Sequence, residues 1–168
     1  MNQHAGLDIP AAVTQRLTEL GIDALVMACD PDYADTAAFC TRYGVAPQES
    51  ANTIVVVSKR GPLRRAACVV LASTRLDVNR TVCRLLDVAK ASFASAEQTG
   101  ELTGMMIGGV TPFGLPPDLP IFVDARVVAA ASVVIGGGSR SAKLRITPRD
   151  LLRIPGATVV EGLATERV

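Results

Sequence analysis

Asn52–Ala72, NTIVVVSKRGPLRRAACVVLA, is the stretch on which the fold reading turns. Thr53–Val57 is β-branched throughout, which predicts a buried strand. Lys59-Arg60-Gly61-Pro62 supplies a turn, and Ala66–Ala72 returns as the partner strand of a hairpin. The rest of the chain is read as elements laid around this hairpin.

On its N-terminal side, residues 10–20 predict a helix. Asp8 or Ile9 lies near the cap, Pro10 near the first turn, and Val13, Leu17 and Leu20 repeat on one face before Gly21. Ile22–Ala28 reads as a strand and Cys29–Asp32 as a turn. Asp35 is placed to cap a short helix that runs through Tyr43 and stops at Gly44.

On the C-terminal side, Asp77 reads as the cap of a helix whose apolar face is Val78, Val82, Leu85 and Leu86. Residues 91–94 predict a brief strand, and Ala96–Leu102 is helical or irregular. Pro120–Val123, Val133–Ile135, Lys143–Ile146 and Thr158–Val160 predict further strands. Thr147-Pro148-Arg149-Asp150 reads as a helix start, with threonine as cap and Asp150 in the place of a capping-box acid. Short strands, one clear hairpin and scattered short helices predict a single α+β domain over residues 1–168, with a curved, mixed, largely antiparallel sheet.

Composition narrows the function classes. At 49% hydrophobic and 20% charged, the 168 residues suit one ordinary globular domain. Aromatics are scarce at 4%, so composition gives no sign of a platform for stacking nucleic-acid bases. The N-terminus MNQHAGLDIP does not read as a signal peptide, and no apolar run approaches the ~20 residues of a bilayer span. Cys29, Cys40, Cys68 and Cys83 form no C-x-x-C pair and read as reduced, mostly buried thiols of a cytoplasmic protein.

The net charge of +1 is unevenly spread: −5 over residues 1–58, +7 over 59–153 and −1 over the last fifteen. A basic middle is compatible with a polyanionic partner, although solvated surface explains such runs more often.

Motif chemistry is settled largely by elimination. The one histidine, His4, stands in the N-terminal stretch, so Ser-His-Asp and Cys-His sites are not expected. Neither H-E-x-x-H nor C-x-x-C occurs, and no metal or other cofactor is expected. Gly136–Lys143, GGGSRSAK, fails as a Walker A loop and as a dinucleotide fingerprint. It remains a Gly-rich turn that either holds one phosphate or simply joins two strands.

The segment Thr103–Asp124 holds four of the fourteen glycines and four of the ten prolines. Its Gly108-Gly109-Val110-Thr111-Pro112 offers bare backbone to a ligand while proline limits its motion. With no obvious nucleophile, catalysis by backbone donors and positioning suits the chain best.

These pieces, in order, resemble the YbaK/EbsC family of stand-alone aminoacyl-tRNA deacylases, relatives of the editing domain of bacterial prolyl-tRNA synthetases. The matching residues are Asp30-Pro31, Asn52–Val56, Leu76-Asp77, Thr103-Gly104, Gly108–Gly114, Leu119-Pro120 to Asp124, Gly136–Gly138 and Asp150-Leu151. The resemblance covers roughly Ile22–Gly162. It implies hydrolysis of a mischarged aminoacyl-tRNA such as Ala- or Cys-tRNA(Pro), with the tRNA 3′ end and an aminoacyl-tRNA synthetase as partners.

It also implies a site. Asn52, Gly108, Gly109 and Thr111 would act in catalysis, and Thr53, Val110, Pro112, Phe113, Asp124, Gly136, Gly137, Gly138 and Ser139 would bind substrate. Asn52 stands where the family carries a lysine, and so lacks a charge for the terminal phosphate. Asp124 and Thr111 have plainer readings too, as a strand-end cap and as a tie within the loop. The alternative function is a non-catalytic module that binds an aminoacyl-adenosine or another small ligand, turnover having gone with the lysine. Neither a membrane nor DNA is an expected partner: no helix-turn-helix is recognisable, and Arg64-Arg65 fall short of a basic stripe.

Overall fold

The computed structural model describes residues 8–167. His4 lies outside them. The hairpin at the centre is β2 (Ala51–Ser58) against β3 (Arg65–Leu71), antiparallel, with Val55 opposite Ala67. On one flank of β2 lies the short antiparallel β5 (Ala91–Phe93). On the flank of β3 follow β6 (Ile121–Asp124) and β9 (Ala157–Val160), both parallel, giving the order β5-β2-β3-β6-β9.

β3 explains why its sequence is a continuous apolar run rather than an alternating one. Ala67, Val69 and Leu71 enter the main core with Val13, Phe113, Val123, Ile135 and Leu144. Ala66, Cys68 and Val70 point the other way, into a second core with Val56, Val82, Leu86 and Leu163. A strand covered on both faces has no polar side to show.

The expected single sheet is instead three. β1 (Leu25–Ala28), β8 (Ala142–Ile146) and β7 (Val133–Gly136) form a separate antiparallel sheet, order β1-β8-β7, and β4 (Thr74–Leu76) pairs with β10 (Ala164–Glu166) in a two-stranded ribbon. The first of these touches the hairpin through a parallel bridge between Ser50 and Val134. β4 and β10 are too short for a periodic signal, and so is the five-residue helix α5 (Ala125–Ala129) ahead of β7.

The helices otherwise follow their signals. α1 (Ala11–Glu19) buries Val13 and Leu17, with Pro10 rather than Asp8 or Ile9 at its cap. α2 (Thr36–Tyr43) ends at Gly44, whose φ of 68° is left-handed. Asp77 caps a turn of π-helix, Val78–Val82, that runs on as α3 (Cys83–Leu86). α4 (Ala96–Thr103) is definite, because Ser95 and Gln98 close a reciprocal capping box.

Two caps are corrected. Thr147 stands before a 3₁₀ helix, Pro148–Arg153, but its side chain makes no capping bond, and Asp150 pairs instead with Arg153 at 3.4 Å. Asp35 holds the cap position of α2 without capping it, since its carboxylate is drawn to Arg140 at 2.9 Å.

Leu144 is fully buried in β8, whereas Leu63 on the hairpin turn is 70% exposed. Leu144→Ala should lower unfolding free energy by about 2–5 kcal/mol, and Leu63→Ala by less than about 0.5 kcal/mol. Urea titrations of the two variants against the parent measure the contrast.

Candidate functional site

β5 pairs only with Val56–Ser58, so the Asn52–Ile54 edge of β2 is left open on that side. Against this open edge lies a cavity of about 330 Å³. Its walls are Asp35-Thr36 at the start of α2, the turn at Gly108–Val110, Gly136 at the end of β7, and Lys143 on β8.

The turn is held against the β7–β8 connection by backbone contact. Gly138 N–H donates to the Gly109 carbonyl at 2.7 Å. A Cβ built on Gly109 would lie 2.5 Å from the Ser139 backbone, and one on Gly136 would lie 2.2 Å from the Val110 carbonyl oxygen. Neither position accepts a side chain. Gly108 has φ +92°, a left-handed conformation that suits glycine. Gly109 N–H is spent on the Met106 carbonyl at 2.9 Å. Among the described residues no acceptor takes the N–H of Gly108 or of Val110.

Two cations fasten this turn to the segment before α2. Arg140 donates through Nη1 to Asp35 and to the Ile107 carbonyl, and through Nε and Nη2 to the Pro31 carbonyl, at 2.7–3.1 Å. Lys143, only 6% exposed, donates through Nζ to the Ala34 and Gly108 carbonyls, each at 2.7 Å, above the Phe39 ring. Burial pulls the Lys143 pKa below the usual lysine value, with Arg140 acting in the same sense and Cys29 and Asp35 opposing. One of its three N–H donors has no partner among these contacts.

Two side chains of β2 complete the polar lining. The Thr36 hydroxyl donates to Asn52 Oδ1, and among the described residues the Asn52 amide hydrogens have no acceptor. Thr53 Oγ1 is buried and has no hydrogen-bond partner among the described residues. An unpaired buried hydroxyl costs about 1–3 kcal/mol, and a ligand acceptor would lift that cost. The other walls are largely apolar, from Ile54, Val55, Ala94 and Phe93, with Thr99 beside them.

The sequence-predicted residues divide clearly. Asn52, Thr53, Gly108, Val110 and Gly136 border the cavity. Gly109, Gly137, Gly138 and Ser139 brace it instead: Gly137 packs on Ala142, Gly138 on Pro10 and Val13, and Ser139 Oγ accepts from Ser141 N–H. Phe113 is wholly buried in the main core, and Pro112 borders a different cleft, beside α1. Thr111 is buried too, with Oγ1 accepting from Phe113 N–H at 3.5 Å.

Asp124 is wholly buried at the junction of β6 and α5 and lies outside the cavity lining. Burial pushes its pKa up, opposed by Arg126 at 4.0 Å, and among the described residues neither carboxylate oxygen has a hydrogen bond of good geometry.

Sequence alone assigns no site role to Asp35, Thr36 or Lys143, while Arg140, which it places beside the Gly-rich turn as a candidate phosphate holder, is committed instead to Asp35 and to main-chain carbonyls. Lys143 left no signal, because alternation along β8 places it opposite Ala142, Leu144 and Ile146, on the face that looks solvent-bound. A small core of Cys29, Ala34, Phe39, Val45 and Val134 covers that face.

The aminoacyl-tRNA editing domain model matches residues 30–154. A 62-residue segment is 37% identical to the uncharacterized protein YwhH of Bacillus subtilis, covering 37% of this chain and 40% of that protein. The chain thus spans less than half the length of this curated relative. A crystal structure of a hypothetical protein superposes with a TM-score of 0.79 at 28% identity, over 89% of this chain and 97% of that one. That of a proposed trans-editing enzyme for prolyl-tRNA synthetase gives 0.77 at 27% identity, over 93% and 96%. Among the described residues no helix is long and apolar enough to cross a membrane.

The buried lysine gives a measurable pH signature. In the folded chain Lys143 loses its proton more readily, so between its depressed value and about 10.4 the unfolded chain holds more protons. Stability contributed through this residue therefore rises with pH across that window. The Cys68 thiol, pushed up to about 12 by burial, acts in the opposite direction above about 8.5. Urea unfolding of the parent and of Lys143→Met from pH 6 to 10 should show a rising component in the parent alone. Parallel curves would assign the titration to another group.

Proposed function

The chain belongs to the aminoacyl-tRNA editing domain family, and on that premise we propose that it hydrolyses the ester of mischarged aminoacyl-tRNA in trans. The substrates would be Ala- or Cys-tRNA(Pro)-like. The observation that carries the reading is the cavity's surplus of uncommitted donors beside an apolar wall, with no cysteine or histidine in its lining among the described residues.

In this reading the aminoacyl group enters the cavity, its side chain against Val55 and Ala94. The ester carbonyl lies toward the Gly108 and Val110 N–H groups. Water attacks the carbonyl carbon, and the N–H groups take up the charge that develops on its oxygen. Collapse breaks the bond to the ribose oxygen, which leaves with a proton, so that free amino acid and intact tRNA result. Asn52 and Thr53 hold the ribose end, and Lys143 keeps the Gly108 carbonyl turned away from the developing negative charge. Pocket size sets selectivity, and one methylene there is worth about 1–3 kcal/mol.

Asn52 supports a second reading. Its carbonyl is already taken by Thr36, and it brings no charge to a phosphate, which suits a module that binds the same end of the RNA without cleaving it.

A panel of mischarged tRNAs, Ala-tRNA(Pro) and Cys-tRNA(Pro) first, decides between them by ester loss over the buffer rate. Deacylation is expected. Tight binding with no ester loss across the panel would replace the enzyme with the module. Gly108→Ala, strained at φ +92° and pressed toward the Arg140 guanidinium, should cut the rate by ~100-fold or more, as loss of an aligned oxyanion donor does. An unchanged rate in a folded variant would remove the turn from the mechanism.

A further inference from the structure

Asn52, Ile54 and Phe93 border not only the cavity but a second, larger cleft of about 770 Å³ on the other side of the same strand. The two spaces meet at Asn52. The far walls of the second cleft are β4, the helical turn after Asp77 and the end of β10. They carry Arg75, Arg80 and Arg167, all exposed.

None of the three arginines has a carboxylate within 4.0 Å among the described residues. The acid that lines the cleft, Asp77, is committed: Oδ2 accepts from the Thr81 hydroxyl at 2.8 Å and Oδ1 from Arg80 N–H at 3.4 Å. Arg167 is oriented by a bond from Nε to the Thr74 carbonyl at 3.0 Å, and its terminal nitrogens make no hydrogen bond among the described residues. At the junction stands Phe93, 57% exposed, one of few aromatics in a chain whose composition promised no stacking surface.

We propose that this cleft receives the single-stranded CCA end of the RNA, its phosphates on Arg75, Arg80 and Arg167 and one base on Phe93. The inference rests on the proposed function, since it needs the acylated terminus to lie in the adjoining cavity. Guanidinium groups clasp phosphate oxygens in pairs, and an exposed ring stacks on a base whatever its identity. The hairpin-turn cations cannot serve, because Lys59 lies seven residues along β2 from Asn52, roughly 23 Å at ~3.3 Å per residue. A continuous strand of RNA fits better than a compact anion, because the cleft has both charge and an aromatic step and shares Asn52, Ile54 and Phe93 with the cavity.

The test uses the whole chain and an uncharged RNA microhelix ending in CCA, titrated over a range of salt. Arg75 and Arg80 make no side-chain hydrogen bond among the described residues, so Arg75→Gln/Arg80→Gln should fold normally, checked by its unfolding midpoint. It should weaken binding at least tenfold and flatten the slope of log affinity against log salt by about 1.4, at ≈0.7 per lost single-strand phosphate contact. Phe93→Ala should lose about fivefold or more with the slope unchanged.

Wild-type affinity and slope in the double variant would overturn the proposal. So would equal wild-type affinity for a blunt microhelix lacking the CCA overhang, no RNA binding at all, or preference for an acidic peptide. Hydrolysis of an aminoacyl-adenosine, which carries no phosphate, tests the deacylase separately. Its absence alongside salt-sensitive CCA binding would remove the enzyme and leave the cleft.

Discussion

The packing of two glycine-bearing turns, backbone against backbone, is the contact on which the rest of the site depends. Gly109 and Gly136 lie where any Cβ would collide with main-chain atoms of the opposing turn, at Ser139 and at Val110. Main chain cannot move aside as a side chain can, so the two turns approach this closely only because both are bare there. The bond from Gly138 N–H to the Gly109 carbonyl fixes their relative height. From this follow the position of Gly108 and Val110 over the open edge of β2, and so the cavity itself.

Close approach alone would leave the carbonyls of Ile107 and Gly108 exposed to compete for the cavity's donors. The two cations of β8 and its preceding turn prevent this. Arg140 takes Ile107 and Pro31, while Lys143 takes Gly108 and Ala34, so each ties the turn to the segment before α2. A buried ammonium without a carboxylate is ordinarily costly. Here two carbonyl dipoles and the face of Phe39 offset part of the desolvation, and the depressed pKa records what remains. A charge spent this way does not act as a free cation for substrate phosphate. It ties the Gly108 turn to the segment before α2 at the cavity wall.

The elements that were legible in the sequence are those whose signals are local. The β-branched run and its turn gave β2 and β3, and Gly44 gave the end of α2. The residues that came out differently are those whose partners lie far along the chain. Asp35 reads as a cap until Arg140, more than a hundred residues later, draws its carboxylate away. Lys143 reads as solvent-facing until α2 is laid over that side of β8. β4 and β10 are each three residues long, and only their pairing makes them strands. Of the residues that border the cavity, the turn at Gly108–Val110 stands out in the sequence by its glycines, whereas Asn52 and Thr53 are singled out only by the family resemblance. The stretch Gly137–Ser139 shares the same composition but supports the turn from behind, a distinction that depends on which turn faces the open edge.

The position of Asn52 connects these observations. A lysine there would place a mobile charge where the acyl cavity and the arginine-lined cleft meet. Asparagine instead fixes its carbonyl on Thr36 and keeps neutral donors for the space between. The positive charge of the region is thus displaced to either side: inward as Lys143, committed to main-chain carbonyls, and outward as arginines without acidic partners. The same strand separates the two environments, an apolar and hydrogen-bonding surface on one side and a basic surface on the other. An acylated RNA end has the two complementary chemistries in that order, joined at the ribose. In the proposed reading Asn52 stands where such a ligand would change from one chemistry to the other, and a neutral amide suits a ribose hydroxyl better than it suits either neighbour.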